Sequence, residues 1–121
     1  MQREEGLVAS ATEVLEIAEV GRGGALLEAF TPREKSYAES KSDPERRLAA
    51  RLAAKRACCR LLGGDLPLHE IEVRSVPGGP PRLCLSSRGE KRLHELGARR
   101  TLVSLTHGRT HAAASVLFVE R

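Results

Sequence analysis

The stretch "RLAARLAAKRACCRLLGG", Arg47 to Gly64, reads as a long helix with an unusual density of cations. Ser42 or Asp43 ahead of Pro44 opens it, because a side-chain oxygen satisfies an orphan amide and proline is tolerated in the first turn. Gly63 and Gly64 close it after Leu62. Leu48, Leu52, Cys59 and Leu62 share an apolar face, and Ala49, Ala53 and Ala57 let a neighbour approach closely. The other side is cationic: from Arg46 to Arg60 there are five Arg and one Lys with no acid. Arg47, Arg51 and Lys55 recur at every fourth position and line one stripe, while Arg56 and Arg60 form an adjacent pair. Such a block points to an anionic ligand or partner, with a solvated helix face as the plain alternative.

The flanks place this helix in an α+β fold. Thr31, Pro32 and Glu34 form a capping-box start for a helix over Pro32 to about Ser40. Ahead of it, Leu7 to Val20 reads as a strand that runs into a helix, Gly21 to Gly24 as a breaker, and Ala25 to Phe30 as a short apolar helical turn. After the long helix, "IEVRSVPGGPPRLCL" alternates at Ile71 and Val73, turns at Pro77 to Pro81, and resumes at Leu83 and Leu85 as a hairpin. A short amphipathic helix follows and ends at Gly97. "RTLVSLTHGRTHAAASVLFVE" then forms two strands. With no repeat and no linker, residues 1–121 read as a single domain.

Composition narrows the function. A chain of 121 residues with 40% hydrophobic content supports one ordinary core. Aromatics are confined to Phe30, Tyr37 and Phe118, so stacking platforms for single strands are scarce and nothing supplies base readout; nucleic acid is not an expected partner. Cys58, Cys59 and Cys84 have no C-x-x-C spacing and read as small hydrophobes in a reducing compartment. With neither a leader nor a membrane-spanning stretch in view, a soluble cytoplasmic protein is expected.

The common catalytic motifs, a Gly-rich phosphate loop and a G-x-S-x-G elbow among them, are missing. His107 and His111 have the spacing of a helical metal pair, but they fall on strand and turn, where it loses that meaning. Ser104 and His107, with Cys84 as another nucleophile, lack the local context of a catalytic pair. They read better as polar groups at a strand edge that bind a phosphate or an adenine nucleotide.

Taken in order, the segments resemble the holo-acyl-carrier-protein synthase family of phosphopantetheinyl transferases. "TEVLEIAEV" (Thr12 to Val20) is similar to the family's T/G-D-I-V-E-I-x-R-I opening, "FTPREKSYAES" to its F-T-x-x-E segment, and "LAARLAAKRA" (Leu48 to Ala57) to F-A-x-R-F-A-A-K-E-A. Gly79, Pro80 and Pro81 fall on the family's G-K-P. "VSLTHGRTHAAASVLFVE" is similar to its terminal S-I-S/T-H-T-x-x-Y-A-x-A-x-V-V, with Gly108 for Thr and His111 for Tyr.

The resemblance implies an antiparallel sheet packed on a long helix, a homotrimer, and transfer of the phosphopantetheine arm of coenzyme A to a serine of an acyl carrier protein. The alternative is a catalytically inactive relative that binds coenzyme A, a nucleotide or a protein partner. In the family two carboxylates hold magnesium against the diphosphate. Here Glu13 stands on the first position and remains the metal ligand, whereas Arg56 stands on the second and repels a divalent ion, so magnesium is disfavoured. Arg56 either pairs with diphosphate oxygens in the metal's stead or seals the site by pairing with Glu13. Arg51, Lys55 and Arg60 keep the helix cations that suit coenzyme A phosphates, with Lys55 also a proton-handling group. Gly79, Pro80, Pro81, Ser104, Thr106 and His107 complete the implied nucleotide site. Glu19 replaces an arginine that the family uses to meet acidic carrier proteins.

Overall fold

The computed structural model describes residues 6–22 and 27–120. Residues 23–26, which hold much of the expected glycine breaker and the start of the Ala25–Phe30 segment, lie outside the described residues. Strand β1 (Leu7–Glu16) passes directly into a 3-10 turn, Ile17–Arg22, where a helix was expected. Helix α1 (Pro32–Glu39) starts with the capping box read from Thr31 and Glu34: Thr31 Oγ1 accepts from the Glu34 amide at 3.2 Å, and Glu34 accepts from the Thr31 amide at 2.9 Å. Helix α2 (Pro44–Leu61) is the quoted stretch. Asp43 is its N-cap, but the Asp43 carboxylate accepts from Arg47 Nε at 3.0 Å rather than from a helix amide. Gly63 and Gly64 end the helix at φ of +109° and +87°, a region closed to most side chains.

The remaining elements are β2 (Ile71–Arg74), β3 (Arg82–Leu85), α3 (Ser87–Glu95), β4 (Arg100–His107) and β5 (His111–Val119). Strands β1, β5 and β4 form one antiparallel sheet in that order, with Glu13 opposite Ala114 and Ser104 opposite Ser115. Strands β2 and β3 form a separate antiparallel hairpin. Long helix against antiparallel sheet is therefore the architecture that the sequence implies.

Helix α2 lies along the inner face of the larger sheet because that side of it is almost pure alanine. Ala49, Ala53, Ala54 and Ala57 have no exposed surface, and they meet Ala112, Ala114, Val116 and Phe118, the alternate residues of β5. Leu52, Ile71, Val116 and Phe118 are also fully closed from solvent. Each contributes roughly 1.5–3 kcal/mol of transfer free energy. Small side chains at this contact bring the helix backbone close to the sheet, so the longer cations at its margins reach β1, α1 and the β2–β3 hairpin. Among the described residues no helix is long and apolar enough to cross a membrane.

Candidate functional site

Helix α2 distributes its cations to three surroundings. Arg47 and Arg51 face a cavity of about 440 Å³ walled by α1, α2, the β2–β3 turn and the end of β4. Tyr37, Ser75, Gly79, Pro80, Pro81, Ser104 and His107 share its lining. The Arg51 side of this wall is closely packed. Only 3% of Arg51 is exposed, and its guanidinium lies 4.2 Å from the Tyr37 ring centroid. Its Nη1 donates to the Arg47 carbonyl at 3.4 Å and its Nη2 to Ser75 Oγ, while Nε has no partner among the described residues. Burial lowers the Arg51 pKa from its usual value, opposed by Tyr37 and Glu34. Burial raises the Tyr37 hydroxyl, but hydrogen bonding by Ser75 and the charges of Arg51, Arg47 and Lys41 outweigh it, so Tyr37 titrates below the ordinary phenol. The result is a recess walled by two guanidinium side chains and the hydroxyl residues Tyr37, Ser75 and Ser104, suited to a phosphate monoester.

Lys55, one turn further along the same stripe, has a different fate. Neither its side chain nor that of Glu34 has any exposed surface, and Lys55 Nζ donates to Glu34 Oε1. The Glu34 carboxylate also takes the Val73 amide at 2.8 Å and the Thr31 amide. Burial pulls the Lys55 pKa below its usual value, against the opposing charges of Glu34 and Glu72. The sequence reading placed Lys55 at the ligand; the geometry instead encloses it between α1, α2 and β2, away from the cavity lining. This pair ties three elements together.

Arg56 and Arg60 point toward β1 and the turn after it. Arg60 Nη1 donates to Glu13 Oε2 and its Nη2 to the Thr12 carbonyl at 3.2 Å. Arg56 Nη1 donates to Glu19 Oε2 at 3.0 Å. The anticipated Arg56–Glu13 seal is thus divided between two pairs, because α2 presents Arg60, not Arg56, opposite Glu13. An open depression of about 550 Å³, lined by both arginines, Cys59, Leu66, Pro67 and Leu68, lies alongside. Burial raises both thiols, Cys58 to about 12, consistent with their reading as inert hydrophobes.

The family's magnesium is not suited to these residues. The Glu13 carboxylate is engaged by Arg60, the nearby Glu19 by Arg56, and no group of three or more His, Cys, Asp or Glu among the described residues could hold a metal ion. A hard divalent cation needs several oxygen ligands and is repelled by two guanidinium groups.

The other sequence-based candidates divide similarly. Gly79, Pro80, Pro81, Ser104, His107 and Arg51 converge on the cavity, whereas Thr106, paired with Ala113 on β5, and Arg60 are not in its lining. Sequence reasoning missed Tyr37, Ser75 and the place of Arg47 in the cavity wall. Arg47 belonged to the recognised stripe, and Tyr37 follows the capping box by one helical turn; Ser75 carried no signal of its own.

No family model matches the chain. It is 36% identical over 92 residues to the holo-[acyl-carrier-protein] synthase of Koribacter versatilis, a match that covers 73% of this chain and 74% of the relative. The fold aligns with the crystal structure of the Neisseria meningitidis holo-[acyl-carrier-protein] synthase at a TM-score of 0.79 and 21% identity, covering 93% of this chain and 98% of the other. The Helicobacter pylori enzyme, solved in complex with coenzyme A, aligns at a TM-score of 0.75 and 19% identity over 91% and 99% of the two chains. The long helix on an antiparallel sheet and this degree of identity to the curated relative lead to one conclusion: the chain belongs to the holo-[acyl-carrier-protein] synthase family.

Proposed function

We propose that the chain binds coenzyme A and transfers its phosphopantetheine arm to a serine of an acyl carrier protein. The observation that carries this reading is the polar cavity beside α2, walled by Arg47, Arg51, Tyr37, Ser104 and His107. Arg47, Arg51 and His107 take the phosphorylated adenosine end of the coenzyme, and Gly79, Pro80 and Pro81 provide a narrow wall for its base. Arg60, Arg56 and Glu13, on the opposite side of α2, form a second charged cluster, which a neighbouring copy in the proposed trimer offers to the diphosphate. Lys55 serves as a positioning residue, fixing α2 through Glu34 so that its other cations face ligand. In the reaction the carrier serine oxygen forms a bond to the phosphorus that bears pantetheine. The bridging P–O bond breaks, 3′,5′-ADP leaves, and the serine proton passes to solvent.

Assembly as a homotrimer is part of this proposal. The outer face of the larger sheet carries exposed Val14 and Leu102 beside Ala113 and Leu117, interleaved with the hydroxyls of Thr12, Ser104 and Ser115, a surface of small groups that further copies would cover. Arg56 pairs with Glu19, the carboxylate that stands where the family carries a carrier-docking arginine.

Incubation with coenzyme A and an apo carrier protein, followed by intact-mass spectrometry of the carrier, tests the proposal; a carrier that gains the phosphopantetheine mass supports it. Arg47→Ala should weaken coenzyme A binding about tenfold, the scale of one charge-assisted phosphate contact. A second reading, a coenzyme-binding relative without transferase activity, is favoured by the engagement of Glu13 with Arg60. It predicts saturable coenzyme binding with an unmodified carrier.

A further inference from the structure

We infer that this chain uses Arg56 and Arg60 in place of a divalent cation, with Glu19 and Glu13 as resident counter-anions that a diphosphate displaces. The inference rests on the coenzyme A reading above and deepens it, by specifying how the diphosphate is neutralised.

Three observations converge on it. First, Glu13 on β1 and Glu19 in the turn after it are each already bonded to a guanidinium, Glu13 to Arg60 and Glu19 to Arg56. A metal would have to break both pairs and then sit beside two released cations, whereas an incoming dianion only exchanges one oxygen partner for another. Second, the pairs are accessible: the side chains of Arg60 and Glu13 are 56% and 22% exposed, and those of Arg56 and Glu19 34% and 38%. Pairs so open to water are weakly held and readily exchanged. Third, both arginines border an open depression that also carries Cys59, Leu66, Pro67 and Leu68, and its carboxylate, Asp65, is bonded to Arg92, so the anion site adjoins apolar surface. A ligand with a diphosphate joined to a flexible, largely uncharged arm matches that sequence of surfaces.

Arginine is chemically adequate for the exchange. Its planar fork donates two parallel N–H groups to phosphate oxygens, and it remains charged throughout the physiological range. Adjacent turns of α2 present Arg56 and Arg60 four residues apart, on one side of the helix. The fully buried Lys55 and its partner Glu34 take no part, because neither side chain reaches solvent.

The carboxylates provide a test whose sign separates the two electrostatic schemes. If Glu13 were a metal ligand, Glu13→Gln should weaken coenzyme binding and should do so only with magnesium present. If Glu13 is a displaceable counter-anion, the same substitution releases Arg60 and strengthens binding with or without metal. Glu19→Gln should act likewise through Arg56.

Calorimetric titration of coenzyme A into the full chain, once with a chelator and once with excess magnesium, decides the matter. The expected wild-type affinities agree within about twofold, while Arg56→Ala and Arg60→Ala each lose about tenfold, the scale of a charge-assisted phosphate contact. Glu13→Gln and Glu19→Gln should tighten binding severalfold in the chelator. All four side chains are partly exposed, and circular dichroism confirms that each variant is folded. A wild-type affinity raised about tenfold or more by magnesium overturns the inference and leaves the coenzyme reading intact, as does weaker binding by Glu13→Gln. No binding in either condition overturns both.

Discussion

Lys55–Glu34 and Arg60–Glu13 are ion pairs made by the same helix, five positions apart, yet they do opposite work. The first has no exposed side-chain surface and its carboxylate is saturated by an ammonium and two backbone amides. The second is open to water along the rim of a depression. Once a charged pair is sealed in a protein interior, neither partner can be released without leaving the other unpaired and desolvated. Where water reaches the pair, the cost of exchange is small and the cation remains available to a ligand. At these two pairs access to water, rather than the charge itself, separates the structural cation from the candidate ligand-binding one.

The largest effect that would break this comparison is at the sealed pair. Lys55→Ala should destabilise the fold by about 3–5 kcal/mol in urea unfolding, the cost of orphaning a buried carboxylate. Replacing Lys55 by Met and Glu34 by Leu together should recover only part of that loss, because the Thr31 and Val73 amides then lack their acceptor. A Lys55→Ala variant as stable as the wild type would return Lys55 to the pool of ligand-binding residues.

A middle-sized effect is expected at the cap that orients Glu34. Thr31→Ala removes the acceptor for the Glu34 amide and the hydroxyl donor to Glu72, at about 1–2 kcal/mol in thermal or urea unfolding. Arg60→Ala should cost less, about 0.2–1 kcal/mol, because its pair with Glu13 is solvated. Its principal effect belongs to coenzyme affinity. Finding the two arginine and threonine effects reversed would mean that the rim pair is structural.

The smallest effect concerns pH. Burial raises the Glu72 carboxyl, but Thr31, Arg74 and Arg33 outweigh it and hold the folded pKa below the unfolded one. The unfolded state therefore binds more protons in that interval. Stability from Glu72 is complete above the unfolded carboxylate pKa of about 4.3 and is lost as pH falls through the lower folded value. Thermal unfolding of Glu72→Gln should show a shallower acid limb than the wild type, with little difference at neutral pH.

Legibility followed the range of the interactions involved. The Thr31 capping box, the glycine stop after Leu62 and the alternation of Ile71 with Val73 are local signals, and each appears in the fold where it was read. Helix α2 was recognisable from its caps and its alanine face even though its cations obscure a simple amphipathic pattern. The 3-10 turn after β1 was read as a helix from the apolar positions Val14, Leu15 and Ile17, but Val14 and Leu15 belong to β1, and the tight turn that follows suffices to bury Ile17 and Val20. Within the candidate site, Arg51 and His107 were legible as polar groups, while Ser75 was not, since its importance comes only from the guanidinium brought against it.

Elements, their order and an excess of positive charge on one helix are properties of neighbouring residues, so the amino-acid sequence by itself determines them through capping, periodicity and backbone preference. The assignment of each charge is different in kind. Lys55 meets Glu34 across 21 residues of chain, Arg56 meets Glu19 across 37, and Arg60 meets Glu13 across 47. Only folding brings those groups together and sets which of them lose water. That loss of hydration gives one lysine a structural task and leaves two arginines facing the solvent from which an anionic ligand arrives.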